Sequence, residues 1–144
     1  MWLVYALAAS ALWGFEYAIV GRILGDRVSP VSLVAIQMAV GSVALGAVAL
    51  VTGALRRDLA LAQAQPGLWL LVALGILVFT LGNLMIAVSI QEGNAVLAGF
   101  VEISYPLFIV LFSLMLGWGG SIGPRTVIGG LVILAGVYLL QSEQ

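Results

Sequence analysis

The sequence contains no cysteine, no histidine and no lysine. Without cysteine the chain has no disulfide, thiolate metal site or thiol nucleophile, and without lysine it cannot form a Schiff base. Histidine is the usual proton carrier near neutral pH, so its absence leaves proton chemistry inside the protein to carboxylates. No nucleophile–base pair or metal-ligand cluster stands out, and we expect no catalytic residues, no metal, no cofactor and no enzymatic activity.

Charged residues are also scarce, at 8% of the 144 residues, whereas hydrophobic residues make up 63%. A soluble domain carries about 25% charged residues. The composition therefore predicts an all-α integral membrane protein with a single transmembrane domain over residues 1–144. The net charge of −1 and the lack of a basic tract argue against nucleic acid as a partner. No basic region precedes the first apolar segment, so we do not expect a cleaved signal peptide.

Apolar segments suited to crossing a bilayer follow one another along the chain. A transmembrane helix needs about 20 apolar residues. Five segments meet or approach this length, at about residues 2–24, 31–53, 67–90, 94–117 and 124–141, and the last is rather short. The longest stretch outside them, Ala54–Pro66, holds Arg56, Arg57 and Asp58. We therefore predict five transmembrane helices and a polar connection after the second.

Glu102 is the residue around which we expect the protein to be organised. It lies within the fourth apolar segment, where a charged side chain costs about 2.5–3.5 kcal/mol on insertion scales. Pro106 follows four residues later and has no N–H to donate to the carbonyl of Glu102. The pattern predicts a hinge at Pro106, with a carboxylate and an unpaired carbonyl side by side. The alternative is a neutral, hydrogen-bonded carboxyl that only packs.

Polar side chains in the first three segments are further candidates for binding substrate and protons. They are Glu16, Gln37 and Asn83. We expect them to open with Glu102 toward a shared cavity, lined also by Trp13 and Tyr105. Simpler interpretations remain open: Glu16 can reach the interface by snorkelling, the two amides can join helices by hydrogen bonds, and the aromatic rings can simply pack.

Several short motifs resemble an EamA-type domain of the drug/metabolite transporter superfamily. They are Trp13-Gly14 in the first segment, Pro30 opening the second, Pro106 and Leu116-Gly117 in the fourth, and the run from Ile128 to Val137 in the fifth. The resemblance covers essentially the whole chain, and the run in the fifth segment is its most specific part. Common members hold two such domains in ten helices with opposite orientations. The chain is similar to the short five-helix members, and the resemblance implies half of a ten-helix inverted-repeat fold.

The glutamate in the first segment is also similar to that of the small multidrug resistance transporters. There, such a carboxylate binds protons and cationic substrates in competition, and the last helix forms the dimer. By this resemblance we expect a dimer contact on the face of the fifth segment that carries Gly129 and Gly136. Other positions depart from the long EamA members, because Gln37 stands where arginine is common and Trp118 where glutamate is common. The resemblance therefore implies a fold and transport but no substrate.

The arginines give almost no signal for the orientation of the helices. Arg56, Arg57 and Arg125 fall on the side of the N-terminus, and Arg22 and Arg27 on the other. This balance predicts either weakly specified insertion or dual topology. We favour dual topology and an antiparallel homodimer, because related transporters need two inverted halves around one site. A parallel dimer and a monomer are the alternatives.

The apolar segments, the glutamates within them and the resemblance to EamA-type domains together favour a transporter in a bacterial-type inner (cytoplasmic) membrane. Desolvation disfavours the charged form of a carboxylate, which suits membrane glutamates to exchanging protons. We therefore expect a proton-coupled exporter of small metabolites or lipophilic cations, acting as a dimer. The alternatives are a lipid or lipid-carrier flippase component and a non-transporting membrane scaffold subunit.

Overall fold

The computed structural model describes residues 1–118 and 123–141. Over these residues the chain forms α-helices and no strand, which confirms the predicted all-α class. The helices are α1 (Trp2–Gly25), α2 (Pro30–Val51), α3 (Ala54–Ala64), α4 (Pro66–Glu92), α5 (Ala95–Glu102), α6 (Tyr105–Met115) and α7 (Pro124–Gln141).

Four stretches of the described chain are long and apolar enough to cross a membrane. They are Trp2–Gly25, Pro30–Val51, Gly67–Glu92 and Ala95–Met115, the last made of α5 and α6 together. The apolar helix Pro124–Leu140 is shorter, and at about 1.5 Å per residue it spans about 25 Å of a hydrocarbon core about 30 Å thick. Most long apolar side chains on these helices are exposed, as suits a surface that faces lipid.

The polar connection after α2 is itself a helix, which the sequence analysis did not predict. In α3 the apolar residues Leu55, Leu59 and Ala62 recur at the spacing of one helical face, and Ala62 is buried. The opposite side carries Arg57, whose Nε donates to Asp58 Oδ1 at 3.0 Å. The segment is polar in composition but amphipathic in pattern, and α3 packs against α2 and α4.

The chain divides into two compact units, of which the second is Arg22–Glu92. In this unit α2, α3 and α4 pack on one another, with Leu33 and Val34 buried on α2 and Ala87 buried on α4. Near the end of α4, Gln91 Nε2 donates to the carbonyl of Val28 at 3.2 Å. That bond holds the link between α1 and α2 against α4. The single domain predicted over residues 1–144 stays a prediction.

The first unit comprises Met1–Gly21 and Gly93–Gln144, and its described residues include most of α1 with α5, α6 and α7. The Asn94 side chain caps α5 by accepting from the N–H of Leu97 at 2.8 Å. At the other end, Gly117 has φ +69°, the N–H of Gly117 donates to Leu114 and that of Trp118 donates to Ser113. These bonds form a Schellman cap that needs a left-handed residue, which explains the Leu-Gly motif after α6.

Gly130 sets the contact between α7 and α6. It is buried, and a Cβ at this position would collide with the side chain of Leu107. Gly129 and Gly136, by contrast, have nothing within 4 Å of an added Cβ. Within the single chain, therefore, α7 packs through Gly130 and leaves open the neighbouring face that was predicted as a dimer contact.

Replacing Gly130 with alanine is expected to destabilise the protein by about 1–3 kcal/mol, because overpacking forces Leu107 or α7 to move. The matched control is Gly75→Ala, since Gly75 also lies within a helix but has nothing within 4 Å of an added Cβ. That change should be neutral or slightly stabilising through helix propensity. Thermal unfolding in detergent measures both, and equal melting temperatures would contradict the packing role of Gly130.

Candidate functional site

A hydrogen bond between α1 and α5 lies at the centre of the candidate site. The hydroxyl of Tyr17 donates to Oε2 of Glu102. Tyr17 is buried, with 7% of its surface exposed, and Glu102 is half-buried. The two residues are 85 positions apart in the sequence, so this bond joins the first and fourth membrane segments through their polar groups.

Two neighbours hold the ring of Tyr17 in place. Trp13, one turn earlier on α1, packs edge-on against it, with ring centroids 6.0 Å apart and an interplanar angle of 82°. From α5, Gly99 approaches so closely that an added Cβ would lie 3.3 Å from Cδ2 of Tyr17. The small residues Ala98 and Gly99 are therefore what allow α5 to approach α1 near Glu102 (Ala98 itself is buried).

Glu102 is the last residue of α5, and the fourth membrane segment is interrupted immediately after it. Ile103 and Ser104 form a turn before α6 begins at Tyr105, with Pro106 in its first helical turn. The break lies where the missing N–H of Pro106 predicts one. Tyr105 is 56% exposed. A role for Pro106 as a moving hinge stays a prediction.

Glu16 and Trp13 lie on α1 in the same unit as Glu102. Glu16 is half-buried and precedes Tyr17 directly. Trp13 is 46% exposed. Tyr17 thus lies near both membrane carboxylates, since it follows Glu16 in α1 and its hydroxyl donates to Glu102. The accessible ring of Trp13 lies beside it.

Gln37 and Asn83 belong to the other unit, on α2 and α4. Gln37 is exposed. Asn83 Nδ2 donates to the carbonyl of Phe79 in its own helix at 2.8 Å, and Thr80 Oγ1 donates to Ile76 in the same way. One of the two N–H donors of the Asn83 amide is therefore used within α4. A cavity shared by these amides and the glutamates stays a prediction.

Sequence reasoning missed Tyr17, although a signal for it exists. Tyr17, Val20 and Leu24 are buried and recur at i, i+3 and i+7 on α1, with Trp13 one turn before them. This spacing predicts a packed helix face. The small residues at four-residue spacing on the same helix are instead exposed in the single chain. Those residues are Ala6, Ser10, Gly14 and Ala18.

The arrangement is suited to binding positive charge or protons. A carboxylate accepts hydrogen bonds through two oxygens, and Tyr17 occupies Oε2 of Glu102. Aromatic faces next to a carboxylate attract organic cations. Within residues 1–118 and 123–141, no group of three or more acidic residues is placed to hold a metal ion.

Comparisons with known proteins agree with the architecture. A family model described as the EamA-like transporter family matches residues 1–142, nearly the whole chain. Searches of curated proteins and of solved structures found no match.

Proposed function

Because the chain belongs to the EamA-like transporter family, we propose that it is a proton-coupled exporter of lipophilic cations or small metabolites. The family places it among the multi-pass membrane transporters of the drug/metabolite transporter superfamily. Proton coupling, the class of substrate and the dimeric state are the parts that we propose. Our proposal places the protein in a bacterial-type inner membrane, with protons and a small molecule as its ligands.

The observation that carries the proposal is the contact of Tyr17 with Glu102 at the break in the fourth membrane segment. A carboxyl group within a membrane segment is costly and is typical of proton and ion pathways. Glu102 is the last residue of α5, at the turn that precedes Pro106. Glu102 is half-buried and therefore not sealed inside the single chain.

The aromatic side chains near Glu102 favour cations among the candidate substrates. Trp13 presents an accessible ring beside Tyr17, and tryptophan is the aromatic side chain that attracts cations best. A lipophilic cation would combine this attraction with the negative charge of Glu102 or Glu16. A proton taken up by the same carboxyl group would remove that charge and release the cation, which couples the two fluxes.

The exposed faces of small residues support the proposed dimer. Gly14 on α1 and both Gly129 and Gly136 on α7 have nothing within 4 Å of an added Cβ in the single chain. Small residues at such faces let helices approach closely in lipid. The balanced arginines favour two copies in opposite orientations, which would supply the second inverted half that related transporters contain.

Thermal stability in detergent tests the class of ligand. We expect tetraphenylphosphonium to raise the melting temperature, and to raise it more at alkaline than at acidic pH, because protons compete for the same carboxyl group. A stabilising ligand at about 100 times its Kd contributes about 2.7 kcal/mol, enough for a shift of several degrees. The same screen should include neutral metabolites of similar size.

The outcomes of this screen separate the proposed function from its alternatives. A shift that disappears in Glu102→Gln but persists in Glu92→Gln supports the cation site, because Glu92 is exposed at the end of α4. Stabilisation by a lipid-linked sugar instead of any cation would favour a flippase component. No stabilisation by any compound, with the fold intact, would favour a scaffold subunit.

A further inference from the structure

We infer that the Tyr17 hydroxyl is a displaceable cover on Glu102, which must leave Oε2 before a proton or a cation binds at that oxygen. The inference deepens the proposed function and rests on it for the identity of the cation. It assigns a positioning role to a tyrosine that the family resemblance and the sequence did not single out.

The ring of Tyr17 packs against two neighbours, and its hydroxyl bonds the carboxyl group of Glu102. Trp13 packs on the ring at 6.0 Å between centroids, and Gly99 lies against its Cδ2 edge. Tyr17 is almost fully buried, whereas Glu102 is only half-buried. A ligand that reaches Glu102 therefore meets a carboxyl group whose Oε2 is already bound to the hydroxyl of Tyr17.

The hydrogen bond from Tyr17 disfavours the binding of both a proton and a cation to Glu102. A phenol O–H that donates to a carboxylate stabilises its ionised form and occupies one of its two oxygens. A proton or a cation must compete with that donor for Oε2, or share the carboxylate through the other oxygen. Loss of the hydroxyl, with the ring retained, should therefore make Glu102 more reactive without changing the packing of α1 on α5.

Chemical labelling of Glu102 tests this role without any substrate. Dicyclohexylcarbodiimide reacts with protonated carboxyl groups in membranes: a carboxyl oxygen adds to the central carbon of the reagent and the acid proton passes to its nitrogen. In the full-length protein in detergent, Tyr17→Phe should speed labelling of Glu102 about tenfold, the order expected for loss of a hydrogen bond to a charged group. Mass spectrometry of the peptide that contains Glu102 measures the rate.

Two control variants separate this effect from a loosened fold. Tyr5→Phe makes the same chemical change at an exposed position of α1 and should leave the labelling rate unchanged. Gly130→Ala should lower the melting temperature without removing the Tyr17 hydroxyl, so it shows how far a loosened fold alone changes the labelling rate. Faster labelling in Tyr17→Phe alone supports the inference, whereas equal rates in Tyr17→Phe and the wild type overturn it.

Protection by a cation distinguishes failure of the inference from failure of the proposed function. Tetraphenylphosphonium should slow the labelling of Glu102 in the wild type, and lower concentrations should suffice in Tyr17→Phe at alkaline pH. If the cation protects neither the wild type nor Tyr17→Phe, the proposed cation site is wrong. A difference in labelling rate between the two would still support the role of the Tyr17 hydroxyl as a cover on Glu102. If it protects both at the same concentration and the labelling rates are equal, the role of Tyr17 is overturned and the cation site stands.

Discussion

Replacing Glu102 with glutamine is expected to abolish transport driven by a pH gradient while leaving the helices folded. Glutamine cannot take up a proton in exchange for a substrate, so the coupling step is lost completely. Its carbonyl oxygen can still accept the hydrogen bond from Tyr17, and a neutral side chain costs less in the membrane than a charged one. Uptake of tetraphenylphosphonium into proteoliposomes should fall to the level of empty liposomes.

The controls for this experiment lie within the same chain. Glu92→Gln removes an exposed carboxylate from the end of α4 and should transport like the wild type. Glu16→Gln should weaken coupling or shift its pH midpoint, because Glu16 precedes Tyr17 directly on α1 and the hydroxyl of Tyr17 donates to Glu102. If Glu16→Gln, Glu102→Gln still transports with proton coupling, the carboxylate mechanism is wrong.

Fixing the orientation of the chain with two added lysines is expected to reduce transport about tenfold, because few antiparallel pairs could then form. The structure shows where to place them. Ala60 and Gln63 are exposed and share a face of α3 with Arg56, away from the buried Ala62. Ala60→Lys, Gln63→Lys therefore adds positive charge next to the membrane without disturbing the packing of α3 on α2 and α4.

Two further measurements make the orientation experiment decisive. Glutamates at Ala60 and Gln63 are the matched control, because acidic residues contribute little to the positive-inside rule. Co-expression with a variant biased in the opposite direction should restore transport to the lysine variant. Unchanged transport in a population shown by protease accessibility to be uniformly oriented would contradict the antiparallel dimer and favour a parallel one.

Residue types and their spacing predicted much of the fold. Apolar segments of about 20 residues indicate membrane helices because the bilayer leaves few alternatives, and Pro106 marks the place where the fourth segment breaks. Helix α3 was not predicted, because its polar composition indicates a connection outside the membrane. The helical spacing of Leu55, Leu59 and Ala62 is the signal that indicates a helix there. On α7, the glycine that packs within the chain is Gly130, one position and about 100° away from Gly129.

The candidate site was only partly accessible from the sequence. A glutamate inside an apolar segment is conspicuous because it is costly there, so Glu16 and Glu102 stand out. A tyrosine is not conspicuous, since it is common at interfaces and in packed faces alike, and its partner lies 85 residues away. The bond of Tyr17 with Glu102 depends on how α5 packs against α1, which no local pattern specifies. Asn83 is the opposite case: its amide stands out in an apolar segment, but the structure shows it donating to the carbonyl of Phe79 in its own helix.

The break after Glu102 also bears on how the chain enters the membrane. Helix α5 has 8 residues and α6 has 11, which correspond to about 12 Å and about 16 Å, so neither can cross a core about 30 Å thick. The insertion machinery must therefore accept Ala95–Met115 as one segment, and the apolar residues of α6 offset the cost of carrying Glu102 into the bilayer. The apolar residues of α6 thus help to insert Glu102 into the membrane, although Glu102 lies outside α6. This contribution does not depend on the contact with Tyr17.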